Sequence, residues 1–126
     1  MKPLHWVSST RKNVRQFPET VREEVGFALY LAQMGEKGIN AVPMLGFGGA
    51  SVLEVVIDAD GNTFRAVYTV KFAKAVYVLH AFQKKSKRGI ATPRPDSELI
   101  RSRLTLARKH YADTYEHSER KARRHE

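Results

Sequence analysis

Residues 52–85 decide the fold, and they read VLEVVIDADGNTFRAVYTVKFAKAVYVLHAFQKK. Apolar and polar side chains alternate through three consecutive segments, a pattern that is typical of half-buried strands. The dipeptide Asp60-Gly61 separates the first two segments, and Gly61 allows the positive φ of a tight hairpin. The sequence therefore predicts an antiparallel three-stranded meander with strands at residues 52–58, 63–72 and 75–85.

Short elements are predicted upstream of this meander. Residues 4–7 (LHWV) are apolar and predict a strand, and residues 10–17 follow candidate N-cap residues and predict a short helix. Pro18 suits the first turn of a second helix, which the glycines at 35 and 38 end. The glycine-rich residues 39–51 are predicted to form a loop. The apolar face of the second helix is Val21, Val25, Ala28, Leu29 and Ala32.

A C-terminal helix is predicted downstream of the meander. Pro93 and Pro95 are expected to exclude helix, and Asp96 or Ser97 is expected to cap the helix that follows. Residues 116–126 carry only one apolar side chain and are predicted to form a disordered tail, so a single domain spans residues 1–115. The apolar face of this helix is Ile100, Leu104, Ala107 and Tyr111.

The order of these elements predicts the α+β class. We expect a small, mainly antiparallel sheet with the N-terminal helices on one face, and a C-terminal helix. The other face would be partly open to solvent and would carry Arg65. A basic, solvent-facing sheet of this kind would suit a polyanion.

Composition limits the classes of protein to consider. The 126 residues suit one domain, and the absence of cysteine excludes a disulfide scaffold and thiolate metal sites. No apolar run approaches the roughly 18 residues of a membrane span. The N-terminus is too short and polar for a signal peptide. These features predict a cytoplasmic protein that does not act at a membrane.

The charge is strongly basic and unevenly placed. The chain has 22 Lys and Arg against 13 Asp and Glu, a formal net charge of +9. Residues 84–126 hold 13 of the basic and 6 of the acidic side chains, so most of the excess lies in the last third. This asymmetry favours a polyanionic partner such as RNA, DNA, an anionic membrane or an acidic protein, although a solvated basic face is the simpler alternative.

Familiar catalytic patterns are weak or absent in the sequence. The five histidines have no convincing ligand spacing, so we expect no metal and no cofactor, and His80 in its apolar strand is expected to be a core residue. There is no Gly-x-Ser-x-Gly nucleophile motif, and the glycine-rich loop lacks the lysine of a phosphate-binding loop. Glu54 and Asp58 could pair as catalytic carboxylates, but solvent-facing or salt-bridged roles are simpler.

The densest chemical signal is the run Lys84-Lys85-Ser86-Lys87-Arg88. Repulsion among these charges favours a neutral lysine, which could act as a general base or acid. Arg65 on the neighbouring strand could bind a phosphate through its planar guanidinium. Such groups suffice for attack of an RNA 2′-OH on its own phosphate, whereas the alternative is that the basic run is only a soluble loop.

Three segments of the chain resemble a known family. RAVYTV (65–70) and AVYVLHAFQKKSKRGIATP (75–93), followed by a closing helix, resemble the HigB-like branch of the RelE/ParE toxin superfamily. The loop PMLGFGGASVLEV (43–55) and the two opening helices fit the same pattern. The resemblance covers roughly residues 4–112, and VLHAFQKKS is its most specific segment.

This resemblance implies the toxin of a type II toxin–antitoxin system. Such toxins cleave mRNA on the ribosome without a metal, and a cognate antitoxin, often with a helix-turn-helix domain, inhibits them. Arg65 matches the arginine expected at the scissile phosphate, and Lys84 and Lys85 match the paired lysines. The expected RNA-binding residues are Lys71, Lys87, Arg88, Tyr68 and Phe82, although core packing is the simpler role for the two aromatic rings, since aromatic side chains in strands are usually core residues.

Two positions depart from the family pattern and keep an alternative open. Many relatives have an arginine where this chain has Val56, and a lysine in the loop where this chain has Pro43, Met44, Leu45 and Gly46. The loss of two cations would weaken a nuclease, or would require Lys71 or Lys74 in their place. The alternative is a non-catalytic protein of the same fold, either a ParE-like gyrase inhibitor or an RNA-binding module.

Overall fold

The computed structural model describes residues 1–84 and 92–116. Three α-helices and five strands form an α+β arrangement, which confirms the predicted class. The elements are β1 (Leu4–Trp6), α1 (Thr10–Arg15), α2 (Glu19–Gln33), β2 (Ala41–Pro43), β3 (Val52–Ala59), β4 (Asn62–Thr69), β5 (Val76–Lys84), α3 (Arg94–Tyr111) and a π-helical turn (Ala112–Glu116).

The five strands form one sheet in the order β1-β5-β4-β3-β2. The predicted meander β3-β4-β5 is antiparallel and lies at its centre, and Asp60 and Gly61 turn the first hairpin with φ values of 52° and 79°. β1 pairs in parallel with β5 at one edge. β2 pairs with β3 at the other edge, within the stretch that was predicted to be only a loop.

The N-terminal helices pack on one face of the sheet, as predicted. The buried residues of α2 are the five expected from its periodicity, and they meet the alternate residues Phe64, Ala66 and Tyr68 of β4. The spacing of three and four residues places these α2 side chains on one side of the helix, so the apolar surface of the sheet is removed from water on that face.

An irregularity in β5 changes which residues share a face. Val67 lies opposite His80 but Tyr68 lies opposite Val78, so Leu79 is an extra residue in β5. Such a bulge interrupts the alternation of side chains. Strict alternation along residues 75–85 predicts that Val78, His80 and Phe82 share one face. The bulge makes this prediction wrong, because Val78 lies in the core under α2 whereas His80 contacts α3.

The second face of the sheet is covered by α3, which corrects the expectation that it is open. Val67, Leu79 and Ile100 are at most 1% exposed in a second core between the sheet and α3. α3 begins at Arg94, so Pro95 lies in its first turn, where a missing N–H costs no hydrogen bond. The prolines therefore do not exclude helix, and Pro93 occupies the N-cap position that was predicted for Asp96 or Ser97.

The predicted tail lies almost entirely outside the described residues. Only Glu116, the last residue of the π-helical turn, belongs to the described part of the chain. Among the helices in residues 1–84 and 92–116, none is long and apolar enough to cross a membrane.

Candidate functional site

Arg65 and Lys84 lie on the same face of the sheet near one end of the β4–β5 ladder. In the register of these strands, Thr63 is opposite Lys84 and Arg65 is opposite Phe82. Residues two positions apart on a strand point to the same face, so the two cations occupy diagonal positions in adjacent cross-strand pairs. The structure thus brings together the strand arginine and the first residue of the basic run.

Arg65 is held by a buried ion pair. Its Nη1 donates to Glu54 Oε1 at 2.7 Å and to Thr92 Oγ1 at 3.3 Å, and the Thr92 hydroxyl donates to Glu54 Oε2 at 3.1 Å. Arg65 is 4% exposed and Glu54 is 6% exposed. The prediction that Arg65 faces solvent was therefore wrong. Glu54 has the salt-bridged role that was one of its two simpler alternatives.

A second buried polar group links β5 to α3 on the same face. His80 Nε2 lies 2.8 Å from Asp96 Oδ1, and the Nη1 of Arg103 donates to the Leu79 carbonyl at 3.0 Å and lies 3.4 Å from His80 Nδ1. Burial lowers the pKa of His80, the Asp96 contact opposes this effect, and the charge of Arg103 adds to it. His80 is thus a hydrogen-bonded core histidine, as predicted.

We expect the free energy of unfolding to decrease as the pH falls below about 6.5. The pKa of His80 and that of His5 are both lowered from 6.5 in the folded chain, mainly by burial. The unfolded chain therefore binds protons at a higher pH than the folded chain does. The stability that the two neutral histidines contribute is complete above their pKa in the unfolded chain. It is lost progressively as the pH falls toward their lower pKa values in the folded chain.

Urea denaturation at pH 7.5, 6.5 and 5.5 measures this effect. The double variant His5→Gln, His80→Gln should lose most of the pH dependence in this window, because the two titrating groups are gone. A double variant as pH-sensitive as the wild-type chain would show that other groups are responsible.

The remaining predicted RNA-binding residues are dispersed. Lys71 is exposed but lies beyond the end of β4, at the opposite end of the β4–β5 ladder from Lys84. It is eight residues from Thr63, the partner of Lys84, or about 26 Å at the strand rise of ~3.3 Å per residue. Phe82 is half-buried and stacks on His80 with 4.6 Å between ring centroids. Lys85, Lys87 and Arg88 lie outside the described residues.

The position of Tyr68 contradicts the expectation that its ring binds RNA. Its side chain is 0% exposed in the core under α2, and burial raises its pKa to about 12. A ring in this position has no free face on which a base could stack, so its role is core packing, the second of the two roles considered for it.

Sequence reasoning missed several residues that hold the site in place. Arg103 repeats the spacing of the buried α3 residues, lying three positions after Ile100 and four before Ala107, so periodicity alone indicates that it faces the sheet. Thr92 and Asp96 carry no comparable signal, because they reach the sheet only through the docking of α3. In the part of the chain that the structure describes, no group of three or more His, Cys, Asp or Glu side chains could hold a metal ion.

The architecture is that of a small domain with the RelE toxin fold. A double arginine-to-alanine mutant of the E. coli toxin RelE in the free state is 19% identical, with a TM-score of 0.53 over 83% of this chain and 96% of that chain. The isolated E. coli RelE toxin in a P21 crystal form is 20% identical, with a TM-score of 0.50 over 81% of this chain and 98% of that chain.

The sequence defines the family more closely. The profile of the family described as Phage derived protein Gp49-like (DUF891) matches residues 12–105, and the chain belongs to this family. No curated protein matches the chain significantly in sequence.

Proposed function

We propose that the chain is the toxin of a type II toxin–antitoxin system and that it cleaves mRNA on the ribosome without a metal. The observation that carries this proposal is the position of Arg65 and Lys84 on one face at one end of the β4–β5 ladder. Membership of the Gp49-like family and the fold shared with the E. coli toxin RelE support it. Placement in the HigB-like branch, a cytoplasmic location and a helix-turn-helix antitoxin are part of the same proposal.

The proposed reaction is an internal transesterification of RNA. The 2′-oxygen forms a bond to the adjacent phosphorus, the bond from phosphorus to the 5′-oxygen breaks, and the products are a 2′,3′-cyclic phosphate and a 5′-OH. One proton leaves the 2′-OH and one reaches the 5′-oxygen, and Lys84 or Lys85 transfers them. Arg65 stabilises the negative charge that accumulates on the phosphate oxygens.

The other predicted residues would bind the RNA outside the reacting phosphate. Lys87 and Arg88 would hold the backbone next to Lys84, and the half-buried ring of Phe82 would stack on a base. Lys71, at the far end of the ladder, would contact a separate part of the RNA. Arg65 must exchange its contacts with Glu54 and Thr92 for phosphate oxygens, because both neighbours now accept hydrogen bonds from its Nη1.

One observation favours the non-catalytic alternative. A cation that is 4% exposed and paired with a carboxylate is a weaker phosphate ligand than an open one, because its positive charge is already neutralised. A gyrase inhibitor or a plain RNA-binding module of this fold needs no reactive arginine. The two functions differ in their products, since only the nuclease leaves cut mRNA.

Induction of the chain in bacteria tests the proposal. We expect wild-type expression to arrest growth and to leave codon-phased 5′ ends on a reporter mRNA in primer extension. Lys84→Ala should restore growth and remove the cuts, whereas Lys37→Ala, an exposed lysine in the loop after α2, should behave like wild type.

Two results would contradict the proposal. If Lys84→Ala arrests growth fully, and the charge-free double variant Glu54→Gln, Arg65→Gln does so as well, the site assignment is wrong. Intact mRNA accompanied by DNA damage would identify a gyrase inhibitor instead.

A further inference from the structure

A basic groove lies on the side of the sheet that α1 and α2 cover, opposite the face that carries Arg65. It has a volume of about 250 Å³ and runs between α1 and α2 above the edge strand β1. Its floor includes Leu4, Trp6 and Leu29, and three exposed arginines line it: Arg11, Arg15 and Arg22.

The positive charge of this groove is not neutralised locally. Within residues 1–84 and 92–116, no ion pair joins Arg11, Arg15 or Arg22 to a carboxylate, and the groove lining contains no acidic side chain. Arg11 and Arg15 are four residues apart on α1, so their side chains project from the same side of that helix. Three guanidinium groups that make no ion pair within the described residues form a surface that attracts anions.

Two of these arginines stand where the fold itself disfavours a cation. Arg11 is in the first turn of α1, which has no acidic residue, and Arg22 is the fourth residue of α2. The partial positive charge at a helix N-terminus repels a basic side chain. Neither arginine is therefore stabilised by the dipole of its helix.

Gly26 leaves the groove open where α2 borders it. It lies in the middle of α2, where glycine is a poor helix former, and it lines the groove. No atom lies within 4 Å of the position that a Cβ would take. Packing therefore does not require glycine here, whereas a larger side chain would occupy the groove.

We propose that this groove binds single-stranded RNA, with the arginines on the phosphates and the exposed part of the Trp6 ring stacked on a base. A cationic groove with an aromatic side chain on its floor is the combination that holds single strands without sequence preference. The choice of RNA over an acidic protein segment rests on the proposed function. The groove would hold RNA away from the reacting phosphate, because the sheet separates it from Arg65.

Trp6 is the only tryptophan of the chain and therefore reports binding directly by its fluorescence. The probe is a 12-nucleotide 2′-O-methyl oligoribonucleotide, which lacks the attacking hydroxyl and is not cleaved. We expect saturable quenching of Trp6, with an affinity that falls steeply with salt. The double variant Arg11→Gln, Arg15→Gln should bind at least ten-fold more weakly, and the salt slope should decrease by about 1.4, since each single-strand phosphate contact contributes about 0.7.

A matched pair of variants separates the groove from general charge. Arg94→Gln, Arg108→Gln also removes two exposed arginines, both from α3, and should change the affinity less than three-fold. Gly26→Leu should weaken binding without a change in charge, whereas Gly26→Ala should bind nearly as wild type does. Lys37→Ala removes an exposed lysine outside the groove lining and should keep full affinity. Because the oligonucleotide is not cleaved and binding is read from Trp6, failure of the growth test leaves this result independent.

Three outcomes would overturn the inference. Equal weakening by the α1 and α3 double variants would indicate a diffuse charge effect. Binding of the oligonucleotide without a change in Trp6 fluorescence would show that the binding site lies elsewhere on the chain. Quenching by poly-glutamate but not by the oligonucleotide would identify an acidic protein segment as the ligand.

Discussion

Arg65→Ala should lower the free energy of unfolding by about 3–5 kcal/mol. The substitution leaves the Glu54 carboxylate, which is 6% exposed, without the guanidinium that lies 2.7 Å from it. An unpaired charge in this position has lost its hydration and gains no compensating contact except the Thr92 hydroxyl. Equilibrium urea denaturation of the wild-type and variant chains measures the difference.

The double variant Glu54→Gln, Arg65→Gln is the control. Removing both charges should recover most of the lost stability, because two neutral amides in this position carry no unpaired charge. Together with Glu54→Gln alone and Arg65→Gln alone, this double variant forms a cycle whose coupling energy should be large and favourable to the pair. Losses of stability that simply add would contradict the ion pair as the structure shows it.

This cycle also decides how growth assays are interpreted. If Arg65→Ala abolishes growth arrest, the cause is either loss of the phosphate ligand or loss of the fold. The double variant keeps the fold but lacks the guanidinium, so its failure to arrest growth would assign the effect to the chemistry of Arg65.

Ile100→Ala should destabilise the chain by about 2–5 kcal/mol, the usual range for a large-to-small change in a core. Ile100 is 0% exposed between α3 and the sheet, in the cluster that also contains Val67 and Leu79. The cost combines the lost apolar burial with the cavity that remains, because a strand ladder behind the site restricts relaxation. Urea denaturation measures the change.

Leu106→Ala on the same helix is the matched control. Leu106 is 56% exposed, so its truncation should change stability by no more than about 0.5 kcal/mol. Comparable effects of the two substitutions would mean that α3 does not cover the second face of the sheet. A loss specific to Ile100 would confirm that the docking of α3 stabilises the fold.

Local signals in the sequence were sufficient for most of the architecture. The alternation in residues 52–85 predicts three strands, and the spacing of Val21, Val25 and Ala28 predicts the buried side of α2, because both patterns repeat with the period of the element. Strand β2 was not predicted, because it has three residues, too few to show a clear pattern, and forms only by pairing with β3. The bulge at Leu79 likewise depends on pairing with β4 and has no local signature.

The candidate site was only partly predictable. Arg65 and Lys84 were found because basic residues stand out in an apolar strand segment, and strand alternation placed Arg65 on the less apolar face. Glu54 and Thr92 were not predicted as neighbours of Arg65, nor Asp96 as a neighbour of His80. Their contacts join segments that are 11, 16 or 27 residues apart, and such distances are set by packing and not by a local pattern.

The sequence by itself determined the strand order of the meander, the buried side of α2 and the two cations near one end of the sheet. These features depend on side-chain periodicity and turn chemistry, which act over a few residues. Only the tertiary structure decided that α3 covers the second face and that Arg65 is buried against Glu54. Both follow from long-range packing, since the apolar side of α3 is removed from water by packing on the apolar side chains of the face that carries Arg65.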